Sequence, residues 1–175
     1  MDYENNYLLA IKNMNLRQSF IDSIELGWAE QYMPKCIYKN RLSKSKKNIL
    51  MSTKRLSILS SENKSKVLIY PVAFDLKFHP NFQDFYSKLV YHEGQHAKEN
   101  FIGLPMPTCV SVESIEYWSA FDLLQEVRAV RNQLLHLTKE NSEAFQVRLE
   151  ERLNNHLRQL SKGGCNEFVE LYGDP

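Results

Sequence analysis

The chain is short of turn-formers: its 175 residues hold only six Gly and six Pro. That scarcity argues against a loop-rich all-β architecture and for a helix-rich chain. Long apolar runs are missing too. None approaches the roughly 18–20 residues of a membrane span, so no membrane partner is expected. Excess charge of one sign is also absent. A net charge of +1 removes the global electrostatic case for nucleic acid or an anionic lipid surface. Cysteine is scarce and badly placed for cross-linking. Cys36, Cys109 and Cys165 are odd in number, far apart, and include no C-x-x-C pair. This predicts reduced structural thiols in a cytoplasmic protein rather than a disulfide framework. The acidic, polar start, Met1-Asp2-Tyr3-Glu4-Asn5-Asn6, is unlike a signal peptide.

What is present is ordinary globular material, 43% hydrophobic and 25% charged. The length is that of one domain, 1–175, with a real core. Residues 7–33 read as one or two packing helices, from Leu8, Leu9 and Ile11 through Leu16, Phe20, Ile24 and Trp28. Asn15 is the candidate cap of the second, and Pro34 stops it. Residues 35–54 are rich in Lys and read as a solvated loop or hairpin face rather than a nucleic-acid patch. Alternation in residues 55–59 and the β-forming run Val67-Leu68-Ile69-Tyr70 predict an antiparallel hairpin around a polar turn. Residues 49–51 offer a third strand. The expected fold class is therefore α+β, helix-rich, with a small antiparallel sheet.

A helix is expected from Asn81, with Asn81 and Asp84 as a capping pair after Pro80. Its stripe runs Phe82, Phe85, Leu89, His92, His96, so an apolar face turns into two histidines. Those histidines belong to His92-Glu93-Gly94-Gln95-His96, which spells H-E-x-x-H. Residues four apart lie close together on one helical face, so both imidazoles can bind one metal ion. Glu93 beside them can act as the general base on an activated water. Glu99 and Ile102 stand where the longer H-E-x-x-H-x-x-G-x-x-H pattern needs Gly and His, which excludes that variant. His79 reads as a loop residue, and His156 as part of a charged helix face.

Catalytic zinc takes three protein ligands, so a third must come from a later element. Helices are expected over about residues 113–137 and 142–160, the second ending at Gly163-Gly164. Residues 168–172 read as a strand or a docked tail, which could enter the cleft as an internal inhibitor. Glu116 and Glu126 compete for the ligand role. Glu116 falls in an apolar stripe with Ala120, Leu123 and Val127. Glu126 falls in a small, polar stripe with Ser119, Asp122, Ala129 and Gln133. Asp122 and Gln133 are suited to orienting a ligand there.

With His92, Glu93 and His96 followed by Glu126-Val127-Arg128-Ala129 and Gln133, the chain resembles the gluzincins. These are metallopeptidases with H-E-x-x-H on one helix and a glutamate ligand on a later one. The resemblance covers about residues 55–137 and is nearest to small, minimal gluzincin-like domains. It implies a zincin-like fold, Zn2+ held by His92, His96 and Glu126, and Glu93 as catalytic base. The implied substrate is a peptide or protein cleaved at an amide bond. Tyr117, Arg128 and His136 are candidates by type for stabilising the oxyanion. Two other readings remain: a non-catalytic metal-binding or interaction protein on the same fold, and a helical interaction module whose motif arose by chance.

Overall fold

The computed structural model describes residues 2–40, 49–56, 63–103, 109 and 115–172, with the side chains of 115–118 set aside. The architecture is α+β, mostly helical, with one small sheet. Two short helices open the chain, α1 (Tyr3–Lys12) and α2 (Arg17–Asp22). They are shorter than the periodicity predicts. Asn13, not Asn15, makes the capping contact between them: its side chain accepts from the Asn15 amide, and the chain breaks there. A 3-10 turn at Gly27–Ala29 then leads into the sheet.

The sheet is mixed, in the order β1-β3-β2. β1 (Lys35–Tyr38) runs parallel to β3 (Ser65–Ile69), and β2 (Met51–Arg55) runs antiparallel to it. The expected wholly antiparallel sheet is thus corrected. β1 lies in the stretch read as a loop, and the first hairpin strand lies at Met51–Arg55, ahead of the alternating residues. Residues 57–62, where that alternation and the turn were expected, lie outside the described residues. The central strand β3 carries the buried residues Val67 and Ile69.

The long central helix has three parts. α3 (Phe82–Tyr86) begins at Asn81, whose side chain accepts from the Asp84 amide as the capping pair predicts. A π-helical stretch, Ser87–Glu93, follows, and then α4 (Gly94–Ile102). Asp84 does not reach back to complete the cap. It is buried and accepts from the Asn141 side chain and from both the amide and the hydroxyl of Ser142. Ser142 in turn caps α6 (Glu143–Lys162), so the two helices are joined where they start. α5 (Ile115–Leu135) packs against α6, and α7 (Asn166–Tyr172) closes the chain. The tail expected at 168–172 is therefore helical. Its Tyr172 hydroxyl accepts from Arg128 Nε at 2.7 Å, on α5 and away from the cleft described below.

Two apolar clusters form. One gathers Tyr7, Phe20, Phe74, Phe85 and Leu89 with the sheet; the other gathers Val127, Val130, Leu149, Leu153 and Leu157. The π-helical stretch and α5 meet between them. The second cluster includes a disulfide, Cys109–Cys165, which corrects the expectation of three reduced thiols; only Cys36 is free. The cysteines lie 56 residues apart in sequence, and only the fold brings their Cα atoms to 5.1 Å. Structural disulfides persist in oxidising compartments. The cytoplasmic expectation thereby loses the thiol argument behind it. No described helix is long and apolar enough to cross a membrane.

Candidate metal centre

The stripe that runs from Phe85 through Leu89 is fully buried, and it carries His92 into the interior with it. His96, one turn on, is partly open to a cleft. Gly94 between them has a packing reason. A Cβ there would sit 3.0 Å from the Ala29 Cβ and 3.2 Å from the Trp28 ring, tighter than an ordinary contact, so glycine lets the Gly27–Ala29 turn press closely against the helix. On the other side, the Asn132 side chain donates to the Tyr91 carbonyl at 2.8 Å, tying α5 to the π-helical stretch.

That contact brings Glu126 over the histidines. His96 Nε2 lies 3.3 Å from Glu126 Oε1, and His92 Nε2 lies 3.6 Å from Oε2. One donor atom from each of the three residues falls within 4.8 Å of the others. Zinc–donor bonds of about 2.0–2.2 Å in a tetrahedron require donor separations of about 3.3–3.6 Å. Each imidazole thus meets one of the two Glu126 oxygens at a separation in that range, and two imidazoles with a carboxylate are a donor set that a zinc-sized ion accepts. Glu126 is brought to the histidines; the side chain of its competitor Glu116 lies outside the described residues.

Charge within the cluster is uneven. Burial, with Lys88 nearby, drives the His92 ring well below its ordinary pKa, which keeps it neutral. Burial also opposes charge on His96, but the hydrogen bond to Glu126 and the field of Glu93 outweigh it and raise that pKa. For Glu126, burial is overcome by His96, His92, Lys88 and Arg152, so the carboxyl is held far below its usual range. Arg152 of α6 makes the closest of these contacts, 2.7 Å from Oε2. The buried Nδ1 of His92 has no hydrogen-bond partner among the described residues.

Glu93 is buried and doubly held. Its Oε1 lies 3.0 Å from Lys88 Nζ, and its Oε2 accepts from the Thr53 hydroxyl of β2 at 2.8 Å. Burial alone would raise its pKa; Lys88, His96 and these hydrogen bonds together lower it. His92, Glu93, His96, Glu126, Lys88 and Arg152 all line a cleft of about 430 Å³, together with Met51, Ser52 and Thr53 of β2.

The cations in this cleft are not those expected from the sequence. Arg128 lies 4.0 Å from Glu99 and bonds Tyr172. His136 stacks on Tyr91 with ring centroids 4.3 Å apart. Neither lines the cleft, and the Tyr117 side chain lies outside the described residues. Lys88 and Arg152 stand there instead. Lys88 carried a usable signal, a lysine four residues ahead of His92 on the buried side of the same helix. Arg152 and Thr53 carried none, because only folding brings α6 and β2 to this place.

No family model, no curated protein and no solved structure matches the chain.

Proposed function

We propose that the chain is a zinc-dependent peptidase of zincin-like, gluzincin type, with His92, His96 and Glu126 as metal ligands and Glu93 as proton carrier. The observation that carries this reading is the convergence of the three donors, at 3.3 and 3.6 Å, beside a buried carboxylate in one cleft. When bound, zinc supplies Lewis acidity to a carbonyl oxygen and acidifies water. The chain's own residues do the rest. His92 and His96 offer imidazole nitrogens from one helical face, and Glu126 closes the set from α5. Thr53 fixes the Glu93 carboxylate. Each Glu93 oxygen keeps a second lone pair for a water hydrogen, so the carboxylate can take a proton and return it to the departing amide nitrogen. Lys88 and Arg152 bring positive charge to the cleft, where an oxyanion develops in the reaction. β2 is an outer strand of the described sheet and lines the cleft, so it offers a peptide backbone an edge.

Glu93→Gln tests this. The variant is expected to hold about one zinc per chain, measured by atomic emission, while losing at least about a hundredfold in turnover of a peptide library. Equal cleavage by wild type and variant overturns the role of Glu93. Failure of the wild type to hold zinc, or of His92→Ala to lose it, overturns the site.

A second reading is a non-catalytic metal-binding protein on the same fold. The observation favouring it is that both Glu93 oxygens already have protein partners. Zinc retention without cleavage by the wild type supports that reading.

A further inference from the structure

The charges that line the cleft are unequal in what they leave unspent. Its carboxylates among the described residues are Glu93 and Glu126. Lys88 answers the first at 3.0 Å and Arg152 the second at 2.7 Å. The two pairs cancel, so a divalent ion at His92, His96 and Glu126 leaves the cleft with surplus positive charge. An entering group meets no unpaired acid among the described residues. Such a cleft repels a lysine or arginine side chain and attracts an anion.

The two cations differ in access. Lys88 is buried and turned to Glu93. Arg152 is 43% exposed, so its guanidinium is anchored at the site and still open to an incoming group. A guanidinium carries five N–H groups in one plane. Nε spends one on His156 Nε2 at 3.3 Å, and Nη2 spends one on Glu126 Oε2 at 2.7 Å. The outer edge of the plane keeps one N–H on each Nη, side by side, and no described residue accepts from Nη1.

That edge selects a chemical class. Two parallel N–H groups match the two oxygens of a carboxylate, and the charge-assisted pair so formed is about twice as strong as a neutral contact. A carboxamide brings one oxygen and no charge, and an ammonium brings no acceptor. The edge also stands near the three donor residues. Arg152 Nη2 and His92 Nε2 lie 2.7 and 3.6 Å from the same Glu126 oxygen. One or two peptide residues, at about 3.3–3.6 Å each, cover that span.

We propose that Arg152 is a specificity residue, whose outer edge receives a carboxylate carried by a peptide lying across the His92, His96 and Glu126 cleft. The peptide rests on the peptidase reading above; the carboxylate rests on Arg152 and the charge of the cleft. An Asp or Glu side chain and a free C-terminus share this chemistry, and the test separates them.

The test uses acetyl-Ala-Ala-X-Ala-Ala-amide with X as Glu, Gln or Lys, and acetyl-Ala-Ala-Ala-Ala with a free or an amidated C-terminus. Binding to the full chain is measured by calorimetry at low ionic strength, with a chelator present so that nothing is cleaved. The Glu peptide, the free-acid peptide or both are expected to bind at least about tenfold tighter than their neutral counterparts, and the Lys peptide no tighter than the Gln one. A gain for Glu alone assigns an acidic side chain; a gain for the free acid alone assigns the C-terminus. Arg152→Gln should abolish the gain and leave the neutral peptides unchanged, and Arg152→Lys, which keeps the charge without the edge, should restore it only in part. Were Arg152 only a support for Glu126, its loss would weaken all five peptides alike. Equal affinities for charged and neutral peptides, a gain that survives Arg152→Gln, a uniform loss, or no binding at millimolar peptide each overturn the assignment. The two readings fail separately. Zinc binding and cleavage without a carboxylate preference removes the role of Arg152 only. A carboxylate preference in a chain that never holds zinc removes the peptidase reading only.

Discussion

Replacing Lys88 with Met removes one partner of the ion pair beside the His92, His96 and Glu126 cluster and leaves the other buried. The two side chains are 9% and 3% exposed, and their charged atoms are 3.0 Å apart. Without Lys88 the Glu93 carboxylate keeps only the Thr53 hydroxyl as a partner from the protein. Truncating one side of a buried pair typically costs about 3–5 kcal/mol, because a charge stays desolvated and uncompensated. Removing both charges is different. Lys88→Met with Glu93→Gln keeps the Thr53 contact and buries no net charge, so the double variant should recover about 2–3 kcal/mol of the single-variant loss. Urea unfolding of the four proteins, with a chelator present so that metal does not contribute, reads both quantities from the midpoints at constant slope. A Lys88→Met cost under about 1 kcal/mol, with no coupling in the cycle, would refute the buried pair. The account of why the Glu93 carboxyl is held low would fall with it.

Two further outcomes are expected. Reducing Cys109–Cys165 opens a loop of 56 residues, a loss of about 4 kcal/mol on the chain-entropy account and about 8–16 °C in Tm for a chain of this size. Thiol titration in denaturant should count one thiol before reduction and three after; three without reductant would remove the cross-link. His79, buried with Nδ1 2.8 Å from the Ala73 carbonyl, has its pKa lowered by burial to about 4. Between about pH 6.5 and 4 the unfolded chain binds a proton at this ring and the folded chain does not. Stability is therefore full above that window and falls as pH drops through it, by about 3 kcal/mol for this group. His79→Asn should flatten that part of the stability–pH curve, and an unchanged slope would show that the ring is not buried neutral.

The parts of this molecule that could be read in advance are those written within a single helix. The Asn81 cap, the stripe from Phe85 to His96 and the Ser142 start of α6 all depend on neighbours three or four residues away; Asp122 and Gln133, expected to orient Glu126, do not, and Arg152 contacts it instead. What could not be read depends on distant partners. β1 looks like a basic loop because its pairing partner is thirty-odd residues further on, in β3. Thr53 and Arg152 come from a strand and a late helix, and no spacing rule links them to the histidines. The disulfide escaped for the same reason: an odd cysteine count argues against a framework, yet two cysteines brought together by α5, α6 and α7 suffice. The π-helical stretch has no marker in its residues that I-to-I-plus-four periodicity would reveal, because the buried stripe stays continuous through it.

The hydrogen bonds from Asn141 and Ser142 to Asp84 take on another meaning once the disulfide is set beside them. α6 packs along α5 and is in addition pinned at both ends, by Asp84 at its start and by Cys165 just past its finish. Arg152 sits at mid-span, where it touches Glu126. Cutting the covalent pin lets the helix act as a lever pivoting near Ser142, about 15 Å from Arg152 along the axis. A tilt of about 5° at that pivot carries Arg152 about 1.3 Å, enough to part it from a carboxylate now 2.7 Å away. The cross-link thus bears on how tightly the Glu126 carboxylate is held, without touching it.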